Sequence, residues 1–252
     1  MVVRVVAVAN RKGGVGKTTT TVNVAAELAS RGRRVLVVDL DSQGHASLGL
    51  GVAPARAGAG AHAVFRDSHL DLDAAIQTSK SCSVDVLPPE RDLQGADYGS
   101  DPLRLARALA PLASRYDDIV IDTSPSVDFA MVAALAAADR LLIPTQLQYL
   151  AYDGVTKFAR VLLNVATRLN RSLVDFAVVP VQIDMRVNLQ RLVLAQLLAD
   201  FGRPRIFRGI RSDVALAESF GSRTAVRYYR PQSRGAADYA YLTDDILSFW
   251  SA

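Results

Sequence analysis

Residues 12–19 read Lys-Gly-Gly-Val-Gly-Lys-Thr-Thr, set between an apolar run at 2–9 and an amphipathic stretch that begins at Thr18. No other feature constrains the chain as much. Glycines at 13, 14 and 16 let the backbone curl until its N–H groups converge, and a helix opening directly behind them aims its positive end at the same point. A loop of this kind is an anion site when a strand precedes it and a helix follows. Gly13, Gly14, Val15 and Gly16 then supply the backbone cradle. Lys17 places a point charge on the β- and γ-phosphates, Thr18 offers a hydroxyl to Mg2+, and Thr19 bonds the α-phosphate. The chain has only four lysines (Lys12, Lys17, Lys80 and Lys157), and two of them fall in this loop. A compact ammonium suits a phosphate cradle better than a guanidinium fork, so the choice of Lys over the far commoner Arg is informative.

The remaining chain alternates short apolar runs with longer amphipathic ones. Strands are predicted at 2–9, 34–40, 84–87, 118–122, 140–144 and 175–183. Helices are predicted at 18–31, 102–115 (kinked at Pro111), 129–138, 152–169, 189–201 and 236–250, and loops with a short helix at 51–80. Continuous apolar strands alternating with helices imply an α/β, doubly wound, mostly parallel sheet flanked by helices on both faces. No linker divides the chain, so one domain over 1–252 is expected.

Half of the 252 residues are hydrophobic, which excludes disorder. A single cysteine, Cys82, makes no intramolecular disulfide and holds no zinc or iron–sulfur cluster alone, which points to a reducing cytoplasm. The longest apolar run, 129–138, is half of the roughly 20 residues a bilayer helix needs. The net charge is +4, yet residues 203–234 hold eight Arg against Asp213 and Glu218. That basic segment is either a polyanion-binding face or a solvated surface. His45, His62 and His69 lack metal-ligand spacing and read as structural or surface residues.

Three carboxylates complete the pattern. Asp39 and Asp41 end the strand at 34–40 in Asp-Leu-Asp-Ser-Gln-Gly, and ligands lie beyond the carboxyl ends of parallel strands. Both are expected to face the loop, although Asp-x-Asp after a strand also caps helices and turns. Asp122 ends the run Ile119-Val120-Ile121, where an acid holds Mg2+ directly or through water.

With these residues in place, the loop resembles the deviant Walker A motif of the ParA/MinD ATPases. Lys12 stands at that family's signature lysine, and Arg11 replaces the usual first glycine. The segment from Asp39 resembles the family's DxDxQG switch I, and Thr123-Ser124-Pro125-Ser126 approximates its switch II. Leu142-Ile143-Pro144-Thr145 and the run from Tyr229 through Pro231, Ser233, Gly235 and Ala236 to Tyr239 are similar to later ParA segments.

The resemblance implies catalytic roles for Lys12, Lys17 and Asp41, with Asp41 orienting the attacking water. It implies a metal shell from Thr18, Asp39 and Asp122, and cofactor contacts from residues 12–19, Gln182 and Arg211. It also implies ATP and Mg2+ as cofactors, slow hydrolysis, and an ATP-dependent homodimer in which Lys12 reaches the partner's phosphates. Arg186, in Met-Arg-Val-Asn-Leu, matches a DNA-contact arginine. The next such arginine falls at Ala215, with Arg208 and Arg211 nearby to compensate. The implied partners are non-specific double-stranded DNA and a ParB-like centromere-binding protein, with a nucleoid-associated location and no membrane. The acidic end of the sequence does not resemble the basic anchor of the MinD branch. No N-terminal helix-turn-helix extension is expected. Two alternatives stay open: a relative that positions a protein cargo, and a metabolic P-loop enzyme of dethiobiotin synthetase type.

Overall fold

The computed structural model describes residues 3–66, 70–90, 99–126, 128–173 and 175–250. Val2 and His69 of the expectations above fall outside them.

Eight strands form one sheet: β1 (Arg4–Val8), β2 (Val35–Asp39), β3 (Gln77–Thr78), β4 (Asp85–Leu87), β5 (Asp118–Asp122), β6 (Arg140–Gln146), β7 (Asp175–Ile183) and β8 (Ile210–Arg211). Their order is β3-β4-β2-β5-β1-β6-β7-β8, parallel throughout except for the antiparallel β3–β4 edge pair. Among the described residues ten α-helices accompany them: α1 (Lys17–Ser30), α2 (His45–Gly49), α3 (Leu72–Ala75), α4 (Arg104–Leu109), α5 (Phe129–Ala137), α6 (Tyr149–Arg168), α7 (Asn188–Phe201), α8 (Val214–Gly221), α9 (Val226–Tyr229) and α10 (Arg234–Phe249).

The period-2 geometry of a strand explains why the inner strands are apolar at every position. Ala7, Leu36, Ile119, Leu141 and Val178 point to one face and meet α4 to α7 through Leu105, Met131, Phe158 and Leu197. Val6, Val37, Val120, Leu142 and Ala177 point to the other and meet α1 and α10 through Val24, Leu28, Tyr239 and Ile246. The predicted helix at 102–115 changes from α to 3-10 geometry at Ala110–Ser114, with Pro111 inside the tighter turn. Proline lacks the N–H that an α-helix interior requires.

Five of these elements were not foreseen. Helix α8 lies in the Arg-rich segment, started by Asp213, whose carboxylate accepts the Ala215 N–H. The other four are the short helices α2 and α9 and the two-residue strands β3 and β8. The sheet order places the reversal point beside β1: β5 lies on one side and β6 on the other. Ligands of open parallel sheets settle at such a crevice.

Candidate nucleotide-binding site

Every candidate residue of the nucleotide site lies at a carboxyl end of a strand or just beyond it. The glycine loop follows β1, Asp39 ends β2, Asp122 ends β5, Gln146 ends β6, Gln182 is near the end of β7 and Arg211 ends β8. Asp122 is in register with both Val8 and Asp39. A cleft of about 810 Å³ opens over this edge. Its floor is Gly13, Gly14, Gly16, Lys17, Thr18 and Thr19. Asp41 and His45 form one wall, and Gln182, Arg211, Ser212, Asp213, Val214 and Leu216 another.

Gly14 and Gly16 adopt φ of +70° and +76°, the left-handed region that glycine enters without a Cβ penalty. A Cβ built on Gly13, Gly14 or Gly16 meets no atom within 4 Å, so the space in front of the loop is open to a ligand. The first turn of α1 has no acidic residue and no side-chain cap, which leaves its N–H groups available to an anion. Val15 is fully buried and does not line the cleft.

The two lysines of the loop are used differently. Lys17 is buried. Burial pulls its pKa down, and attraction to Asp122 and Asp41 partly offsets this. Lys12 does not line the cleft; its ammonium donates to Gln146 Oε1 at 3.1 Å and Gln148 Oε1 at 2.8 Å.

Asp122 is completely buried and accepts hydroxyl protons from Thr18 at 2.9 Å and Thr21 at 2.8 Å. Burial, with repulsion from Asp39, pushes its carboxyl well above the usual carboxylate range, against the lowering effect of the two threonines. Asp39 is likewise raised, first by burial. Like Asp122, it is completely buried: its Oδ2 accepts the Ser47 N–H and hydroxyl at 2.8 Å each, and its Oδ1 the Asp41 N–H at 3.3 Å. It braces the switch-like segment and α2 and acts on Asp122 through charge. Asp41 itself stands at the cleft, accepting the Gln43 N–H in a tight turn.

A hydroxyl beside a buried carboxylate, open to a phosphate cradle, is a hard oxygen donor set that suits Mg2+. Among the described residues no three His, Cys, Asp or Glu side chains converge on a metal position. A Mg2+ ion held by Thr18 and Asp122 would take its remaining ligands from phosphate and water oxygens.

The expected DNA arginines are not brought together as one free patch. Arg186 lies on the loop after β7, its side chain 91% exposed and paired with neighbouring Asp184. Arg208 and Arg211 are each neutralised by a mostly buried carboxylate of α10, Asp245 and Asp238. Ala215 is fully buried at the start of α8. Of the eight arginines between 203 and 234, Arg205, Arg208, Arg211, Arg227 and Arg230 all have carboxylate partners. Four of those partners lie outside the segment, so the linear excess of charge largely disappears in three dimensions. Of the histidines, His62 is buried with its Nε2 3.2 Å from the Leu40 carbonyl, and His45 sits at the cleft wall edge-on to Phe220. The sequence reading did not single out Gln146 and Gln148; only the contact with Lys12 marks them.

Comparison with known proteins agrees with this geometry. A family model described as an AAA domain matches residues 3–174. The chain is 34% identical to the sporulation initiation inhibitor protein Soj of Bacillus subtilis, over 97% of this chain and 98% of that protein. It is also 34% identical to the chromosome partitioning protein ParA of Myxococcus xanthus, over 97% and 88%. The chain belongs to the ParA/Soj family. A solved structure of cobyrinic acid a,c-diamide synthase from Mycobacterium smegmatis, with bound ATP analogue and magnesium, superposes with a TM-score of 0.84 at 31% identity. That match covers all of this chain and 97% of the other. ParA/Soj membership thus rests on the whole chain and not on the loop alone. No helix among the described residues is long and apolar enough to cross a membrane.

Proposed function

We propose that this chain is an ATP-dependent, dimerising ATPase of the DNA-partition type, acting as one unit over residues 1–252. The observation that carries the reading is the division between two lysines of one glycine loop. Lys17 is buried beneath the cleft beside Asp122 and Asp41, and Lys12 is held on the rim.

ATP is the ligand that fits a phosphate cradle adjoining a partly apolar wall, and Mg2+ fits Thr18 and Asp122. When bound, the ion would supply positive charge that offsets the charge of the phosphate oxygens. The residues of this chain do the rest. The N–H groups of 13–16 and the start of α1 hold the β-phosphate, Lys17 neutralises the β- and γ-oxygens, and Thr19 binds the α-phosphate. Gln182 and Arg211 stand on the base side. Asp39 braces the segment that carries Asp41, and Asp41 orients the attacking water. Lys12 reaches the phosphates of the partner subunit and offsets charge developing there, as an arginine finger does. Catalysis complete only in the dimer makes slow hydrolysis a timer: ATP creates the dimer's affinity, and turnover removes it.

In the dimer, Arg186 contacts DNA phosphates without sequence preference, and a ParB-like protein stimulates hydrolysis on the nucleoid in the cytoplasm. The similarity to Soj and ParA supports this part. A second reading, a metabolic P-loop enzyme, is favoured by the similarity to cobyrinic acid a,c-diamide synthase.

Binding to arbitrary duplex DNA separates the two. It should be measured without nucleotide, with ADP, with ATP and with a slowly hydrolysed ATP analogue, across a salt series. ATP-selective, salt-sensitive binding is the expected result. No binding in any state would favour the metabolic reading, or a relative whose cargo is a protein assembly, which cargo capture with the ATP-bound chain would identify.

A further inference from the structure

We propose that Gln146 is a positioning residue that docks Lys12 within its own subunit until a nucleotide base enters the cleft. The inference rests on the nucleotide reading above and adds a control on the signature lysine.

The Lys12 ammonium is held by two amide oxygens, those of Gln146 and Gln148. An amide is polar end to end: its oxygen only accepts and its NH2 only donates. With Oε1 of Gln146 on the ammonium, its NH2 must find acceptors on the opposite side. It finds Gln182 Oε1 at 2.7 Å, and the Gly14 carbonyl at 3.5 Å. The orientation that holds Lys12 is thus fixed by Gln182.

Gln182 is itself unusual. It is a non-glycine residue at φ +54°, where the β7–β8 register steps irregularly between Val181 and Ile183. Strain of this kind persists where surrounding contacts enforce it, and it concentrates at ligand clefts. Gln182 lines the cleft across from the phosphate loop, beside Ile210–Ser212. A base entering there competes for the Gln182 amide. Once released, the Gln146 amide is free to turn its NH2 toward the ammonium, which replaces an acceptor with a donor and expels Lys12 from its dock. Lys12 is then available to a second subunit only after a complete nucleotide, base included, has bound the first.

The test is acetylation of the full-length chain read by mass spectrometry, with Lys80 and Lys157 as internal references. ADP is compared with pyrophosphate, both with Mg2+, because they share phosphates and differ in the base. In the nucleotide-free protein, Lys12 is expected to react roughly three-fold more slowly than in Gln146→Ala or Gln148→Ala, the scale of the one partly exposed hydrogen bond each variant removes. ADP should raise the wild-type rate to that of the variants, and pyrophosphate should not. Gln182→Ala should give the fast rate without nucleotide. Gln146→Glu should slow Lys12 further and raise the ATP concentration needed for dimerisation. Equal Lys12 rates in wild type and in both Ala variants, with ADP still bound, would overturn the inference and leave the nucleotide reading intact. Equal effects of ADP and pyrophosphate would overturn the coupling to the base. Failure of the wild-type chain to bind ADP at all would overturn both.

Discussion

Asp41 and Asp39 lie two residues apart, yet the fold gives them opposite environments. Asp39 is sealed under α2 with its oxygens committed to Ser47 and Asp41, whereas Asp41 stands at the cleft. Replacing Asp41 by Ala should leave ATP affinity within about two-fold and lower turnover by at least a hundred-fold, the scale for losing a group that positions the attacking nucleophile. Nucleotide titration beside single-turnover hydrolysis checks both halves, and wild-type turnover would remove Asp41 from its role. The arginines divide in the same way. Arg186→Ala should weaken DNA binding in the ATP state and leave the thermal midpoint unchanged. Arg208→Ala and Arg211→Ala should instead destabilise the fold by about 1–2 kcal/mol each, because each strands a carboxylate of α10 while the arginine itself is partly exposed. Denaturant melts of the three variants beside filter-binding assays separate the two behaviours.

At the scale of elements, α10 ties the sheet together from the end opposite the site. Arg4 of β1 donates to Asp118 of β5 at 2.8 Å and to the carbonyls of Ile246 and Trp250 at 3.2 and 3.0 Å. Arg33, just before β2, also pairs with Asp118. Asp118 is completely buried, and its removal leaves Arg4 charged with little access to water. Asp118→Ala is expected to cost about 3–5 kcal/mol, visible as an early urea midpoint with ATP affinity retained in the folded fraction. The phosphate loop is sensitive for another reason. Gly16→Ala places a Cβ at φ +76°, a strained conformation for any L side chain despite the open space around it. Its main consequence is expected in nucleotide affinity, since the loop relieves the strain by abandoning the curl that aims its N–H groups.

For the molecule as a whole, two buried carboxylates with raised pKa, Asp39 and Asp122, set an unusual pH dependence. The folded state binds protons at these groups at pH values where the unfolded chain has released them. The slope of unfolding free energy with pH is therefore negative, starting just above the ordinary carboxylate pKa and continuing toward the raised folded values. The contribution of these groups is greatest at low pH and is lost as pH rises, opposite to an ion-paired aspartate. Binding of Mg2+ displaces the proton from Asp122, so nucleotide–magnesium binding should release protons and tighten with pH. Calorimetry in buffers of different ionisation enthalpy reads this directly, and zero proton release between pH 6 and 8 would contradict it. On DNA, each phosphate contacted in the ATP state should contribute roughly −0.9 to the slope of log affinity against log salt.

Much of this molecule was legible from residue order alone, because the informative patterns are local. The glycine loop, the acid ending an apolar strand and the alternation of strands with helices each depend on residues a few positions apart, and backbone geometry converts such spacing directly into shape. Lys17, Thr18, Asp41 and Asp122 could be named before any coordinates. What tertiary structure decided is everything that depends on partners distant in sequence. It bound Asp39 to Ser47 of α2, matched Arg208 and Arg211 with carboxylates of α10, and dissolved a basic segment that is conspicuous only in one dimension. It also brought Gln146 and Gln148, which carry no charge, to the Lys12 ammonium, and set Gln182 against the Gln146 amide. Electrostatic and hydrogen-bond partners are chosen by distance in space, and strand order together with the packing of helices on the sheet sets that distance.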